Sequence, residues 1–442
     1  MKTKIKITLI LAFLCQLGFA QDFNKAKLDD YFDTLEANNR FMGSVAVLKD
    51  GQLIYERAIG FADLESGQKA NNRSKYRIGS ISKTFTTVLV LKAVEAGKLN
   101  LDKTIESYFP AIPNADKITI KHLLGHRSGI HNFTNDKSYL DWNTEAKSES
   151  AMVEIIAKGG SDFEPGTKTE YSNSNFVLLS YILEKVEKKS YASLLSESIT
   201  QPLELANTRF GGKIDPDKNE CYSYKYVDKA WKIEEETDLS IPMGAGSIVS
   251  TPSDLARFSD ALFAGKLVSA ENLAEMETIV DGLGFGLFQF PFYDRKGYGH
   301  TGGIDGFTSV FMNFPDGKVS YALTSNGSRM NNNDISIAVL SAVYGKPIEI
   351  PVFSDYEIKP EDLKEYVGTY ASAQLPLEIT VSIKDGKLIG QGSGQAPFPL
   401  EPTAKDKFEF PQAGVVMEFN PAKNTMILKQ GGGAFNFVKE PK

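Results

Sequence analysis

Hydrophobic positions along this chain of 442 residues change period several times, and each change marks a different kind of element. Residues 22–39 carry helical spacing. Two apolar runs follow, Gly43-Ser44-Val45-Ala46-Val47-Leu48 and Leu53-Ile54-Tyr55, joined at Asp50-Gly51. An Asp-Gly turn between such runs predicts a hairpin, because a tight turn needs two residues that tolerate positive φ. Next, Ile81, Phe85, Val88 and Leu89 recur on one helical face, up to Gly97. From about 105 to 245 the chain reads as mainly helical and loop-rich. Phe176, Leu179, Leu183 and Val186 mark one helix, and Thr251-Pro252-Ser253-Asp254 has the composition of another helix start. Strands return at Phe285–Phe292, Thr308–Phe314 and Val319–Thr324, the last after an Asp316-Gly317 turn, and a helix is predicted over about 334–344.

Strands and helices at both ends of residues 21–346 therefore enclose a helical middle. That pattern predicts an α+β domain: one antiparallel sheet assembled from distant segments, flanked by helices, with a helical insertion over about 105–245. Residues 347–360 hold three prolines and read as a linker. Beyond them the period becomes two. Leu375, Leu377, Ile379, Val381 and Ile383 alternate up to an Asp385-Gly386 turn, and Val415–Phe419 and Met426–Leu428 are further short strands. Residues 361–442 are thus expected to form a small all-β domain, a barrel or a sandwich.

Composition narrows the setting. Hydrophobic residues make up 42% of the chain and charged ones 24%, a globular balance long enough for two or more cores. Residues 1–20 join a basic start to an apolar run from Ile7 to Phe19 and end at Ala20, the pattern of a secretory signal peptide. This predicts export to the periplasm or the extracellular space. The run is short for a membrane span, and no later apolar stretch is long enough for one. Net charge is −7, and it becomes −10 once Lys2, Lys4 and Lys6 leave with the signal. Such an acidic chain is a poor nucleic-acid partner. After cleavage only Cys221 remains, expected as a buried, inert thiol.

Three short segments carry candidate chemistry. In Gly79-Ser80-Ile81-Ser82-Lys83, Ser80 and Lys83 stand one turn apart where the helical pattern begins. A hydroxyl needs a base to become a nucleophile, and an amine with a lowered pKa can serve. Spacing alone is weak evidence: Ser66 and Lys69 repeat it in a loop-like stretch, and Ser80 would serve equally as a helix N-cap. In Tyr171-Ser172-Asn173, residues two apart on extended backbone face one way. Tyr171 could shuttle protons and Asn173 could bind a substrate amide, or Asn173 could simply cap the next helix. In Gly299-His300-Thr301-Gly302-Gly303, the glycines allow close backbone approach. The backbone N–H of Gly303 could join that of Ser80 as an oxyanion hole. His300 would set a titratable cation beside the pocket. His122 and His126 have the spacing of zinc ligands on a helix but lack the intervening Glu and a third ligand, so no metal is expected. Gly-Xaa-Ser-Xaa-Gly does not occur, nor does a phosphate-binding loop, and no cofactor is implied.

In combination and order, Ser80-Xaa-Xaa-Lys83, Tyr171-Xaa-Asn173 and His300-Thr301-Gly302 resemble the serine β-lactamase and penicillin-binding-protein superfamily, in its class C β-lactamase and D-alanyl-D-alanine carboxypeptidase branch. The segments His122–Ile130 and Gly244–Thr251 add to the likeness, which covers about residues 22–345. The resemblance implies a β-lactamase/transpeptidase-like fold and an acyl-enzyme on Ser80. Lys83 would activate the serine and Tyr171 would shuttle protons. Asn173, His300, Thr301 and Gly302 would bind a small-molecule or peptide substrate. It departs from β-lactamases at His300, where they carry lysine; His-Thr-Gly belongs to related peptidases, D-aminopeptidases and esterases. The implied activity is hydrolysis of amides or esters, chiefly of peptides containing D-amino acids, with weak β-lactamase activity; the alternative is a penicillin- or muropeptide-binding protein that acylates without turnover. If His300 titrates, carboxylate-bearing substrates should respond to pH. The C-terminal domain resembles lipocalin-like barrels appended to some of these hydrolases.

Overall fold

The computed structural model describes residues 23–353, 356 and 358–441. The signal-peptide reading of residues 1–20 lies outside the described residues, as does part of the 347–360 linker.

Six antiparallel strands form the central sheet, in the order Phe288–Phe292, Arg295–Ile304, Phe307–Phe314, Val319–Ser328, Phe41–Lys49 and Gln52–Ile59. The N-terminal hairpin thus joins a sheet whose other four strands lie more than two hundred residues later. Asp50 and Gly51 both take positive φ at its turn, at 50° and 74°. The strand Phe41–Lys49, between Val319–Ser328 and Gln52–Ile59, is buried on both faces, which explains its largely apolar run. Phe41, Val45 and Val47 pack under the helices Lys25–Ala37 and Asn332–Val343, while Ala46 and Leu48 belong to the larger core on the other face. That larger core includes the helices Ser82–Glu95, Asn173–Glu187 and Pro252–Phe263. All eleven buried positions of Ser82–Glu95 surround its axis, so this helix is enclosed on every side rather than amphipathic.

Several expectations need adjustment. The first sheet strand of the second half starts at Phe288 instead of Phe285. Gly299–Gly303 itself lies inside a strand, Arg295–Ile304, whose mixed burial pattern hides its strand character, and Phe307–Phe314 follows it. The middle segment also holds strands, including a hairpin of Tyr224–Val227 and Ala230–Ile233. In the C-terminal region eight strands close into an antiparallel barrel from Gly368 to Lys439. Its interior is filled by Tyr370, Phe408, Met417, Leu428, Phe437 and their neighbours. Cys221 is buried, and burial pushes its thiol pKa up to about 12, as an inert thiol requires.

Candidate active site

Ser80 does not cap the helix that follows it. It sits in a single 3₁₀ turn, Gly79–Ile81, which runs straight into Ser82–Glu95. Gly79 makes that turn possible with φ of 50°, and a Cβ there would lie 2.7 Å from the backbone nitrogen of Gly303. The neighbouring strand is held equally close: a Cβ on Gly302 would come 2.0 Å from the carbonyl oxygen of Ile78. Ser309 locks the contact by donating to that same Ile78 carbonyl at 2.8 Å. Two glycines, Gly79 and Gly302, therefore let the Ser80 turn and the strand edge meet backbone to backbone. Ser80 and Gly303 line the same cleft.

Lys83 is fully buried one turn into the helix, and desolvation drives its pKa well below the ordinary lysine value. Its Nζ lies 2.9 Å from Ser80 Oγ, 2.7 Å from Asn173 Oδ1 and 2.9 Å from the carbonyl oxygen of Ala245. A neutral amine has two hydrogens and one lone pair. Asn173 Oδ1 and the Ala245 carbonyl can only accept, so they take the two hydrogens. The lone pair is left facing the Ser80 hydroxyl, which is the arrangement of a base. The decoy pair shows the contrast. Ser66 donates to Asp63 at 2.6 Å and Lys69 pairs with Glu36, both on the surface.

Asn173 opens the Asn173–Glu187 helix, whose N-cap is Ser172. Its amide is fixed at both ends, donating from Nδ2 to Thr134 Oγ1 at 3.0 Å while Oδ1 receives Lys83. Tyr171 precedes the cap and hydrogen-bonds Ser80, and burial pushes its phenol pKa up, so it is protonated at neutral pH. The Lys83 Nζ lies 4.8 Å from the centre of the Tyr171 ring. Behind Tyr171 stands His126, which the sequence offers only as half of a weak zinc-ligand spacing with His122 and as part of a family-like segment. His126 holds φ of 55°, stacks on Tyr171 with ring centres 4.5 Å apart, and accepts the backbone N–H of Ser172 at 3.1 Å. His122 turns away and accepts from the Thr119 N–H within a capping box. The two histidines share no site, and among the described residues no cluster of three metal-ligating side chains occurs.

His300 is brought to the cleft, but its chemistry differs from expectation. It is buried beneath Phe288, stacked at 4.2 Å, and its Nδ1 lies 2.5 Å from the Thr301 carbonyl, which it must therefore donate to. Burial, with the Lys83 charge as a lesser cause, pushes its pKa down to about 3. An imidazole held neutral across physiological pH cannot attract a carboxylate by charge, so the expected carboxylate sensor is corrected to an uncharged wall of the pocket. The sequence shows Phe288 only as part of an aromatic-rich strand and Ala245 only as part of the family-like segment Gly244–Thr251, and gives neither a role: one is a stacking aromatic, the other acts only through its carbonyl.

The cleft divides at Ser80 into two spaces. One, of about 390 Å³, is bounded by Tyr171, Leu283, Phe288 and His300. The other, of about 500 Å³, is bounded by Asn173, Thr134, Lys225 and Glu235 among others. A still larger cavity of about 840 Å³ lies beside the second but does not reach Ser80.

A serine hydroxyl aimed at a desolvated amine, on a sheet edge flanked by helices, places the molecule among the serine hydrolases. Residues 28–345 match the Beta-lactamase family model, and the chain belongs to that family. Penicillin-binding protein 4* of Bacillus subtilis is 26% identical over 94% of this chain and 99% of its own length. Teichoic acid D-alanine hydrolase of Staphylococcus aureus is 29% identical over 57% of this chain and 60% of its own. Among solved structures, the D-amino acid amidase of Ochrobactrum anthropi SV3 superposes with a TM-score of 0.65 at 25% identity, covering 73% of this chain and 99% of the amidase. An octameric penicillin-binding protein homologue from Pyrococcus abyssi shares the fold over 94% of this chain with a TM-score of 0.67. The predicted serine hydrolase class and β-lactamase-like fold with a C-terminal barrel hold.

Proposed function

We propose that this chain is an exported hydrolase that acts through an acyl-enzyme on Ser80, with amides and esters of D-amino acids as its substrates. The observation that carries this reading is the triple contact of Lys83 Nζ, whose two carbonyl acceptors leave a lone pair for the Ser80 proton. Ser80 Oγ attacks the substrate carbonyl as its proton passes to Lys83. The backbone N–H groups of Ser80 and Gly303 receive the developing oxyanion. Tyr171, bonded to Ser80 and protonated, relays a proton to the departing amine or alcohol, and the reverse path activates the water that releases the acyl group. Asn173 and Thr301 hold the substrate amide, and Gly302 lets the substrate lie along the strand edge. The D-amino acid preference is supported by the amidase and D-alanine hydrolase relatives. Among the described residues the walls of the two spaces hold no unmatched cation, since Lys225 is paired with Glu234 and burial lowers the His300 pKa, and this disfavours carboxypeptidase and β-lactamase action, because each of those substrates brings a carboxylate.

The test compares turnover of D-alanyl and L-alanyl p-nitroanilides, a p-nitrophenyl ester and a chromogenic cephalosporin, alongside time-resolved labelling by a fluorescent penicillin. D-anilide turnover far above the L-form and the cephalosporin supports the proposal. Stable penicillin labelling without turnover of any substrate would replace it with an acyl trap.

A further inference from the structure

The two spaces that meet at Ser80 differ in charge. The space bounded by Phe288, His300 and Tyr171 has no charged side chain in its wall. The space on the Asn173 side is lined by Lys225, Glu234, Glu235 and Asp305. Most of these charges are already matched. Lys225 pairs with Glu234 across the 224–233 hairpin. Asp305 pairs with the buried Arg77 guanidinium at 3.0 Å and also accepts from the Thr237 hydroxyl at 2.6 Å. Glu235 is different. It is exposed, and no ion pair or hydrogen bond to its carboxylate exists among the described residues. It also stands on the ridge shared with the larger neighbouring cavity. Negative charge is left in excess around the cleft: the single Arg77 guanidinium is shared between Asp305 and Glu236, and Glu235 has no charged partner among the described residues.

We propose that Glu235 is the specificity residue that receives the free ammonium group of the substrate, so that the enzyme selects acyl donors with an unblocked α-amine. The inference rests on the acyl-enzyme reading above. Substrates whose amine is acylated, or whose nearby group is a carboxylate, find no complementary charge in either space. In the empty cleft the Glu235 carboxylate is hydrated, and an ammonium group that arrives with the substrate replaces part of that hydration with a complementary charge, which favours the free amine over a blocked one. The uncharged space opposite then accommodates the apolar part of the ligand against Phe288 and Leu283.

The test is binding, so that it does not depend on turnover. Ser80→Ala protein is titrated calorimetrically with D-phenylalaninamide and with its N-acetyl derivative. The free amine should bind about 5- to 10-fold more tightly, the effect of one partly desolvated charge pair. Adding Glu235→Gln should bring the ratio to about 1, and Glu235→Lys should invert it. Because Glu235 is exposed and unpaired, neither change threatens folding. A ratio that survives in both variants, or equal or absent binding of the two ligands in the Ser80→Ala parent, overturns the assignment. The acyl-enzyme proposal is judged separately, by turnover in protein with Ser80 intact, so the two can fail independently.

Discussion

At the scale of single residues, the site depends on taking charge away. Ser80→Ala should abolish labelling by a fluorophosphonate probe, whereas Ser66→Ala should leave it intact, since Ser66 is tied to Asp63 on the surface. Equal labelling of the Ser80→Ala protein would refute the assignment. Lys83→Met and Tyr171→Phe should each cost about 10²- to 10⁴-fold in kcat. The double variant should lose little more than the worse single one, because both groups move the same proton; a multiplicative loss would indicate separate roles. His300 gives a pH test of opposite outcome to the one its sequence context invited. KM for a carboxylate substrate and for a neutral ester should respond to pH alike between about 5 and 8, because the imidazole is uncharged throughout. The same depressed pKa has a consequence for stability. Between the folded value of about 3 and the ordinary 6.5, the unfolded chain binds more protons. Stability is therefore lost as pH falls through that window, by at most about 1.4 kcal/mol per pH unit from this group. Denaturant unfolding from pH 3.5 to 6.5 should show a shallower slope in His300→Gln.

At the scale of elements, the site is a contact between a 3₁₀ turn and a strand. The glycines of Gly299–Gly303 are legible in the sequence as a place of close backbone approach, but not that they lie within the strand Arg295–Ile304. Alternation fails as a guide there, because small residues on the strand are selected for backbone approach and not for core packing. The structure separates two neighbouring glycines. A Cβ on Gly302 would strike the Ile78 carbonyl at 2.0 Å, while one on Gly303 would meet nothing within 4 Å. Gly302→Ala should destabilise by roughly 1–3 kcal/mol, as overpacking does, and should lower kcat by pushing the strand from the Ser80 turn. Gly303→Ala should keep near-native stability. Thermal unfolding of the two variants checks the contrast, and similar Tm values would deny that the Ile78–Gly302 approach is tight.

At the scale of the whole molecule, barrel and hydrolase core meet through charge. Glu401 on the barrel strand Phe398–Ala404 accepts from Arg40 at 3.2 Å and from Arg329 at 2.8 Å, and both guanidinium groups are largely buried. Arg329 in turn lies 4.0 Å from the ring centre of Tyr226, on the hairpin whose Lys225 and Ile233 line the cleft. Removing the carboxylate leaves two buried cations facing each other. Glu401→Leu should therefore lower stability by about 1–3 kcal/mol, less than for a fully buried pair because Glu401 is one-third exposed to screening solvent. Calorimetry of the full chain should register the fall in Tm. Adding Arg329→Leu should recover part of the loss, since the repulsion goes with it; no recovery would mean the three charges are not coupled.

The sequence by itself determined the α+β class, the β character of the C-terminal region, the Asp50-Gly51 hairpin and the order of the serine–lysine, tyrosine–asparagine and histidine–threonine–glycine segments. Each of these is local: it rests on periodicity, turn chemistry or a motif a few residues long. Which Ser–Lys pair is buried, the burial that lowers the His300 pKa, the contacts of His126 and Ala245, and the unpaired position of Glu235 along the cleft all depend on packing. The physical reason is common to all four. Protonation, desolvation and pairing depend on what surrounds a side chain, and here the surroundings come from segments more than two hundred residues away in the chain.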